Sequence, residues 1–393
     1  MRLRTLRDLD VLERRVLLRV DFNVPMEERR IVDDSRIVAA LPTLRWLLEA
    51  RSAVVLATHL GRPKGQVVES LRVAPLARRL GELLGLEVAV AQGVSGELVV
   101  TAAQALRPGD LLMLENVRFD PREEANDRGF AQELAALADV YVNDAFGTAH
   151  RAHASTEGVG HLLPSAAGLL MAREYEFLSR VLAEPEPPLV AIVGGAKIST
   201  KIGVIKNLLP RVEYLLVGGA MACTLLKARG LDVGASKVED DQLATARELL
   251  AAAGDKVVLP EDAVVAEAMT ADAPHHVVAI GEIPAGAMML DIGPATVHAF
   301  GDRLGSAGTV VWNGPLGVYE LPPYRAGTEG VARRLADCGA VSIVGGGDLA
   351  AALAELGLTG QITHVSTGGG ATLEFLEGKE LPGIKVLMTE DGA

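Results

Sequence analysis

The sequence predicts an α/β protein with two doubly wound parallel sheets, each in its own domain. Three observations carry that expectation. Short apolar, β-branched runs alternate with Ala-, Leu- and Glu-rich stretches of helical character, the order that produces βαβ crossovers and parallel pairing. The chain has 393 residues, against about 100–200 for an ordinary domain, so two domains are the default. Hydrophobic residues make up 49% but aromatic ones only 4%, so the core must be built from Ala, Val and Leu, which suits sheets covered by helices on both faces.

Strand-length runs fall at 16–20, 53–57, 87–90, 111–114 and 140–142 in a first series. A second series falls at 189–193, 214–217, 256–259, 288–290, 309–312 and 341–344, with a further run near 363–365. Between the two, residues 172–183 read as an amphipathic helix. Glu184-Pro185-Glu186-Pro187-Pro188 stops it, because proline fixes φ and removes backbone donors. The expected organisation is a first domain over 1–171, a linking helix and hinge over 172–188, and a second domain from 189.

The net charge of −13 argues against a general binder of nucleic acid or of anionic membranes. It is unevenly spread. Residues 1–170 carry 21 basic and 23 acidic side chains, a net of −2, which leaves −11 to the remainder. A nearly neutral half that keeps most of the arginines fits a pocket for a small anion, or an Arg-rich surface with no ligand. Cys223 and Cys338 are too few for a disulfide framework and lack metal-ligand spacing. Met1-Arg2-Leu3-Arg4 opens no signal-peptide run, and no stretch reaches the ~18 apolar residues of a membrane span, so the cytoplasm is the expected address.

Ligands of open parallel sheets bind beyond the carboxyl ends of the strands. In the first series those ends read Asp21-Phe22-Asn23-Val24-Pro25, His59-Leu60-Gly61-Arg62-Pro63, Glu115-Asn116-Val117-Arg118-Phe119 and Asn143-Asp144-Ala145-Phe146-Gly147, with Ala149-His150-Arg151-Ala152-His153 close behind. Any one of them fits a helix cap or a turn as readily as a site. As a set they say more, because Arg36, Arg62, Arg118 and Arg151 all fall near loop or element ends. Planar guanidinium groups bind phosphate and carboxylate oxygens through paired donors. Converging with His59, they would make a pocket for a small polyanion.

The second series carries a different chemistry. Gly194-Gly195-Ala196-Lys197-Ile198-Ser199-Thr200-Lys201 follows a strand and opens a helical pattern, so a phosphate could approach free backbone N–H groups while the two lysines, four apart, share one face. The Walker A spacing is absent. Later ends give Gly218-Gly219, Asp291-Ile292-Gly293-Pro294, Asn313-Gly314-Pro315 and Gly345-Gly346-Gly347-Asp348. Single glycine pairs read equally as tight turns; four such ends in one domain favour a nucleotide. A rival stands in Gly345, Gly347 and Ala350, which match a dinucleotide fingerprint. That motif also needs a carboxylate ending the next strand, and the run near 363–365 ends in Ser366 and Thr367. A dehydrogenase therefore ranks below a kinase, and a non-catalytic anion or nucleotide binder is the third reading.

In this order and over essentially the whole chain, the motifs resemble one family, the phosphoglycerate kinases. The matching segments run from Arg19 to Pro25, His59 to Pro63, Leu114 to Phe119, Asn143 to Gly147, Ala149 to Ser155, Gly194 to Lys201, Asn313 to Pro315 and Gly345 to Asp348. The resemblance implies two Rossmann-like domains facing each other across a hinged cleft. The first would bind 3-phosphoglycerate or 1,3-bisphosphoglycerate, the second (189–375) ADP or ATP with Mg2+, and residues 376–393 would return to the first. It implies reversible phosphoryl transfer in glycolysis and gluconeogenesis, by a monomer with small-molecule substrates and no nucleic-acid or membrane partner.

Carried over by motif, Asp21 and Asn23 would hold the glycerate, and Arg36, His59, Arg62, Arg118 and Arg151 would form a basic patch with Arg36 nearest the transferred group. Lys197 would stabilise the phosphoryl in flight and Lys201 would bind nucleotide phosphates. Gly218, Gly219, Asn313, Gly346, Gly347 and the Leu349 backbone would line the nucleotide, Glu320 would contact ribose, and Asp348 would hold magnesium. Leu349 departs from the family, where Thr or Ser is usual. The chemistry suits these residue types. A carboxylate is already ionised near neutrality, so no general base is needed, only alignment and neutralisation of charge on the transferred oxygens.

Overall fold

The computed structural model describes residues 1–389. Two compact units divide the chain, Met1–Glu176 with the segment from Glu380 on, and Phe177–Lys379. The division falls inside the helix Leu169–Ala183.

The first unit holds a six-stranded, wholly parallel sheet. In chain order its strands are β1 (Arg15–Arg19), β2 (Ala53–Ala57), β3 (Val88–Val90), β4 (Leu111–Met113), β5 (Val140–Asn143) and β6 (Ser165–Ala167). In space they run β3-β4-β2-β1-β5-β6. Val16, Leu17, Leu18, Val54, Val55 and Leu56 are fully buried, so the two central strands are covered on both faces. The helix Ser35–Glu49 buries Ile37, Ala40, Leu41, Leu44 and Leu47, a three-to-four spacing that puts one stripe against the sheet. Leu76 and Leu80 of the helix Ala74–Leu84 join the same core.

Because β2 and β5 flank β1 on opposite sides, the winding reverses at β1. That switch point is where a doubly wound sheet opens a crevice at its carboxyl edge. The chain's two ends close this unit. Arg2–Leu3 pairs antiparallel with Met388–Thr389, and Gly383 N donates to the Ala149 carbonyl at 2.9 Å. Residues 390–393, the tail of the C-terminal segment named above, lie outside the described residues.

The second unit has its own six-stranded parallel sheet, from β7 (Leu189–Val193), β8 (Tyr214–Val217), β9 (Val257–Val258), β13 (Thr309–Asn313), β14 (Val341–Gly345) and β15 (His364–Val365). Their order, β9-β8-β7-β13-β14-β15, is the 3-2-1-4-5-6 arrangement of dinucleotide-type folds, with the switch point between β7 and β13. The sequence places the run at 288–290 in this parallel series. The structure instead puts it in β12 (Met288–Ile292) of a three-stranded antiparallel sheet with β10 (Asp262–Ala266) and β11 (His275–Ala279), in the order β11-β10-β12. An apolar run shows that a strand is buried but not which partner it pairs with. The run at 275–279 escaped notice because most of it is exposed.

A buried carboxylate ties this second sheet to the loop leaving β13. Asp291 is fully buried; its Oδ2 accepts from Gly327 N at 2.7 Å and its Oδ1 from Ile292 N at 2.9 Å. A Cβ on Gly317 or Gly327 would lie 2.2 or 2.4 Å from Asp291 Oδ1, so only glycine lets the backbone close around it. Burial pushes this carboxyl up to about 7, against the two backbone N–H groups that favour its anion. Replacing Asp291 by Asn turns one accepting atom toward a backbone N–H as a donor, and should cost about 1–3 kcal/mol by denaturant unfolding at neutral pH. The native carboxyl keeps its proton to about pH 7, while an unfolded one loses it near 3.8. The native state therefore binds the extra proton across that interval, and this group's contribution to stability falls as pH rises through it. The deficit of Asp291→Asn should accordingly shrink as pH rises from about 4 to about 7 and level off above; a deficit that stays constant from acid to alkaline pH contradicts the buried placement.

Candidate active site

At the carboxyl edge of the first sheet, residues from three strand ends hold one another in place. Arg36, at the start of the helix Ser35–Glu49, donates Nη1 to Asp21 Oδ2 at 2.6 Å while a third of its side chain stays exposed. Asn23 accepts the Gly61 N–H at 2.8 Å, joining the loop after β1 to the loop after β2. Asn116 Nδ2 donates to the Leu60 carbonyl at 2.7 Å, and Arg118 Nη1 to the Gly61 carbonyl at 2.9 Å, so the loop after β4 clamps the same turn. Arg62 stands exposed on that clamped loop. Arg151 is half-buried, with Nε 3.2 Å from His150 Nε2. Asp21 and Asn23 are thus engaged within the protein, where they set the geometry of Arg36 and of the Gly61-Arg62 turn.

Beneath this surface lies a buried layer in which His59 and Arg118, expected in the basic patch, are joined by Arg19, Glu123, Ser155 and His153, to which sequence reasoning gave no role. Arg19, Glu123 and Ser155 are fully buried, and His59, Arg118 and His153 nearly so. Arg118 Nε lies 3.3 Å from Glu124 Oε1 without the alignment of a hydrogen bond. Burial and the neighbouring Arg19 charge pull Arg118 down to about 10. Burial, with Arg118 and Arg19 nearby, holds His153 down at about 3. His59 is held well below the ordinary imidazole range, by burial first and by Arg19, Arg118 and Arg36 after it. The available signal was Arg19 itself, a charged residue closing an otherwise apolar strand.

The second unit's edge is made largely of backbone. Gly194 N donates to the Asn313 carbonyl and Gly195 N to the Pro315 carbonyl, each at 2.9 Å. A Cβ on Gly194 would fall 2.1 Å from the Pro315 oxygen, and one on Gly219 2.7 Å from Gly195 N, so the glycines after β7, β8 and β13 pack on one another. Gly218, whose Cβ would meet Leu316 Cδ2 at 2.6 Å, belongs to the same packing. For these the tight-turn reading holds. At Gly195 and Gly347 no atom comes within 4 Å of an added Cβ, and those two glycines face open space. Gly346 takes φ of 107°, where only glycine is unstrained, and opens the nine-residue helix Gly347–Glu355. Its first N–H groups, from Gly347, Asp348 and Leu349, have no partner within the helix and point out of its N-terminus. The Leu349 side chain is fully buried, so it packs in the core and only its backbone remains for a ligand.

Lys201 is nearly buried and donates Nζ to Asn313 Oδ1. Burial lowers it to about 8, with Glu377 acting the other way. Asn313 Nδ2 is buried and has no hydrogen-bond partner among the described residues. It lies beside Gly345, where an added Cβ would be 3.1 Å away. Lys197 is exposed on the loop after β7, Asp348 is exposed in the first turn of the helix Gly347–Glu355, and Glu320 is exposed on the loop held by Asp291. Tyr319 donates to Glu355 Oε2 at 3.1 Å, which fixes that loop beside the helix Gly347–Glu355. The strand β15 is followed by Ser366, whose hydroxyl pairs with Thr372 at 2.6 Å, so the ribose-binding carboxylate of a dehydrogenase is missing there.

One sheet edge thus carries a group of arginines, and the other a helix N-terminus, a lysine and an orphan amide. A family model described as phosphoglycerate kinase matches residues 6–379. A phosphoglycerate kinase of Moorella thermoacetica is 57% identical over 389 residues, covering 98% of this chain and 99% of that protein. One of Thermomicrobium roseum is 56% identical over 391 residues, covering 99% and 100%. Among solved structures, phosphoglycerate kinase from Coxiella burnetii superimposes with a TM-score of 0.89 at 42% identity, over 98% of this chain and 99% of that one. The enzyme from Pyrococcus horikoshii OT3 gives 0.88 at 33% identity, over 98% of each. With matches of this identity spanning nearly its full length, the chain belongs to the phosphoglycerate kinase family.

Proposed function

We propose that the two sheet edges divide the family's reaction between them, with phosphoglycerate held by the first unit and the nucleotide by the second. The chain is a phosphotransferase that moves a phosphoryl group reversibly from 1,3-bisphosphoglycerate to ADP, giving 3-phosphoglycerate and ATP. The observation that carries the division is that Arg36 and Arg118 are fixed by Asp21 and Gly61 at one edge, while Lys201, Asn313 and the N-terminus at Gly346 meet at the other. Arg36, Arg62, Arg118 and Arg151 would take the phosphate and carboxylate oxygens of the glycerate, with residues 1–171 and the segment from 376 as its domain. Residues 189–375 would take the nucleotide, and 172–188 would link the two.

The acceptor carboxylate is ionised at neutral pH, so the protein need not move a proton. It must align donor and acceptor, exclude water and neutralise the charge of the migrating phosphoryl group. Arg36 and Lys197 would do the neutralising, which requires the two substrates to be brought in line by domain closure. Lys201 and Asn313 Nδ2 would hold the nucleotide phosphates, and the N–H groups of Gly347 and Leu349 would add the helix N-terminus. Gly218 and Gly219 would act by letting the loops pack, and Glu320 would meet the ribose. Asp348 fits magnesium, because this ion is commonly held through one or two carboxylates together with substrate phosphates and water. Bound there, the ion would neutralise phosphate charge. Among the described residues no helix is long and apolar enough to cross a membrane.

A coupled assay of 3-phosphoglycerate with ATP tests the whole reading: turnover supports it, and nucleotide binding without turnover sinks it. Lys197→Ala and Arg36→Ala should each lower kcat by on the order of 10²-fold, the loss typical of removing a transition-state donor. Near-normal kcat in both would remove them from the reaction. Asp348→Ala should raise the magnesium concentration needed for half-maximal rate, with an unchanged requirement counting against its role. Since Lys201 loses its proton near 8, its attraction for phosphate is present below that pH and fades above it. The KM for ATP should therefore rise as pH passes through about 8, and Lys201→Met should abolish that rise.

A further inference from the structure

The roles above leave Glu123 and Ser155 without a part. Arg19 closes β1 with its guanidinium fully buried and committed to three acceptors. Nε donates to Ser155 Oγ at 2.8 Å, Nη1 to the Val20 carbonyl, and Nη2 reaches His59 Nδ1 at 3.4 Å. Ser155 donates its hydroxyl to Glu123 Oε1 at 2.6 Å and its backbone N–H to Oε2 at 2.9 Å. The result is a buried chain of carboxylate, hydroxyl, guanidinium and imidazole, running from the interior to the strand-end surface.

The direction of that chain decides the state of the ring. An arginine N–H can only donate, so the nitrogen facing it, His59 Nδ1, must present a lone pair. The ring proton then sits on Nε2 and the imidazole is neutral. The competing partner is Asp21, but its Oδ1 lies 3.8 Å from Nδ1, too far for a hydrogen bond, and already accepts from Asn23 N at 3.2 Å. The charged and titratable groups facing His59 are Arg19 from β1, Asp21 and Arg36 from the segment after it, Arg118 from the loop after β4, and His153. A protonated ring would add another buried cation beside Arg19 and Arg118. Glu123 is fully buried, and burial raises it while Arg19 and Ser155 favour its anion, so it is the carboxylate that compensates this layer.

We propose that Glu123 and Ser155 are positioning residues which, through Arg19, fix His59 as a neutral Nε2-protonated imidazole, so that the site meets phosphoglycerate at this point with a neutral hydrogen-bond donor and not a cation. The proposal rests on the placement of phosphoglycerate against His59, and the experiment separates the two. The full-length protein, labelled with 15N-histidine, is examined by long-range proton–nitrogen NMR, with the His59 signals assigned by their loss in His59→Gln. The expected spectrum has Nε2 protonated and Nδ1 bare, unchanged between about pH 5.5 and 8. A protonated Nδ1, or a ring that titrates in that range, overturns the proposal whether or not any variant folds.

Ser155→Ala should let the Nδ1–H tautomer appear and raise KM for 3-phosphoglycerate about tenfold, the scale of one lost buried hydrogen bond, with kcat and the KM for ATP within about twofold of the parent. Ser155→Thr, which restores a hydroxyl, should recover both the tautomer and the KM. A Ser155→Ala protein with the parent's tautomer and the parent's KM for 3-phosphoglycerate overturns the positioning role. If the tautomer is as expected but 3-phosphoglycerate leaves the His59 nitrogens unmoved, the tautomer assignment stands and the placement of phosphoglycerate beside His59 is overturned.

Discussion

A strand buried on both faces has only its ends to offer. In β1 and β2, and again in β7 and β13, nearly every side chain is consumed by packing against helices on either side. Chemistry is therefore confined to the few residues that follow each carboxyl end, and these must be rigid without a sheet to hold them. The first unit solves this by cross-bracing. Asp21 accepts from Arg36, Asn23 accepts from the Gly61 N–H and Asn116 donates to the Leu60 carbonyl, so the polar residues nearest the crevice act as its frame. The partly exposed Arg36 and the exposed Arg62 stand at the outside of that frame.

The second unit meets the same constraint with backbone. Three strand ends carry glycines at which an added Cβ would collide with neighbouring backbone, and this close packing joins the loops after β7, β8 and β13 at the switch point. Glycines with a second purpose can be told apart because space is left over them. Gly195 and Gly347 have it, whereas Gly194, Gly218 and Gly219 do not. The buried Leu349 fits this division. A side chain at the third helical position points into the core here, so losing a hydroxyl there leaves the outward N–H groups in place.

What could be read from the sequence follows from these physical distinctions. The alternation of strand and helix was legible because parallel strands buried on two faces are continuously apolar. Burial at 288–290 was also legible. Its antiparallel partner was not, because pairing lies in backbone register and an apolar run does not encode it. The surface arginines stood out by type and spacing. The layer beneath them was hidden because a glutamate and a serine, 32 residues apart, acquire meaning only when folding places them 2.6 Å from one another. Asp291 was noticed for the wrong reason, as one more strand end beside a glycine, when its role is to be enclosed by Gly317 and Gly327.

The charge pattern of the first unit suits a reaction that carries no proton. Arg19 and Arg118 lie buried beside one another, a costly arrangement that Glu123 offsets in part. In that setting a histidine cannot hold a second proton, and both His59 and His153 are kept neutral. With phosphoglycerate placed as proposed, its attraction would fall to guanidinium groups, which stay charged at any physiological pH. The group that does titrate near the working range, Lys201, belongs to the second unit, where nucleotide phosphates, if held as proposed, would raise its pKa on binding and restore its charge. On that placement the glycerate site would be indifferent to pH, and the pH sensitivity of binding would fall to the nucleotide.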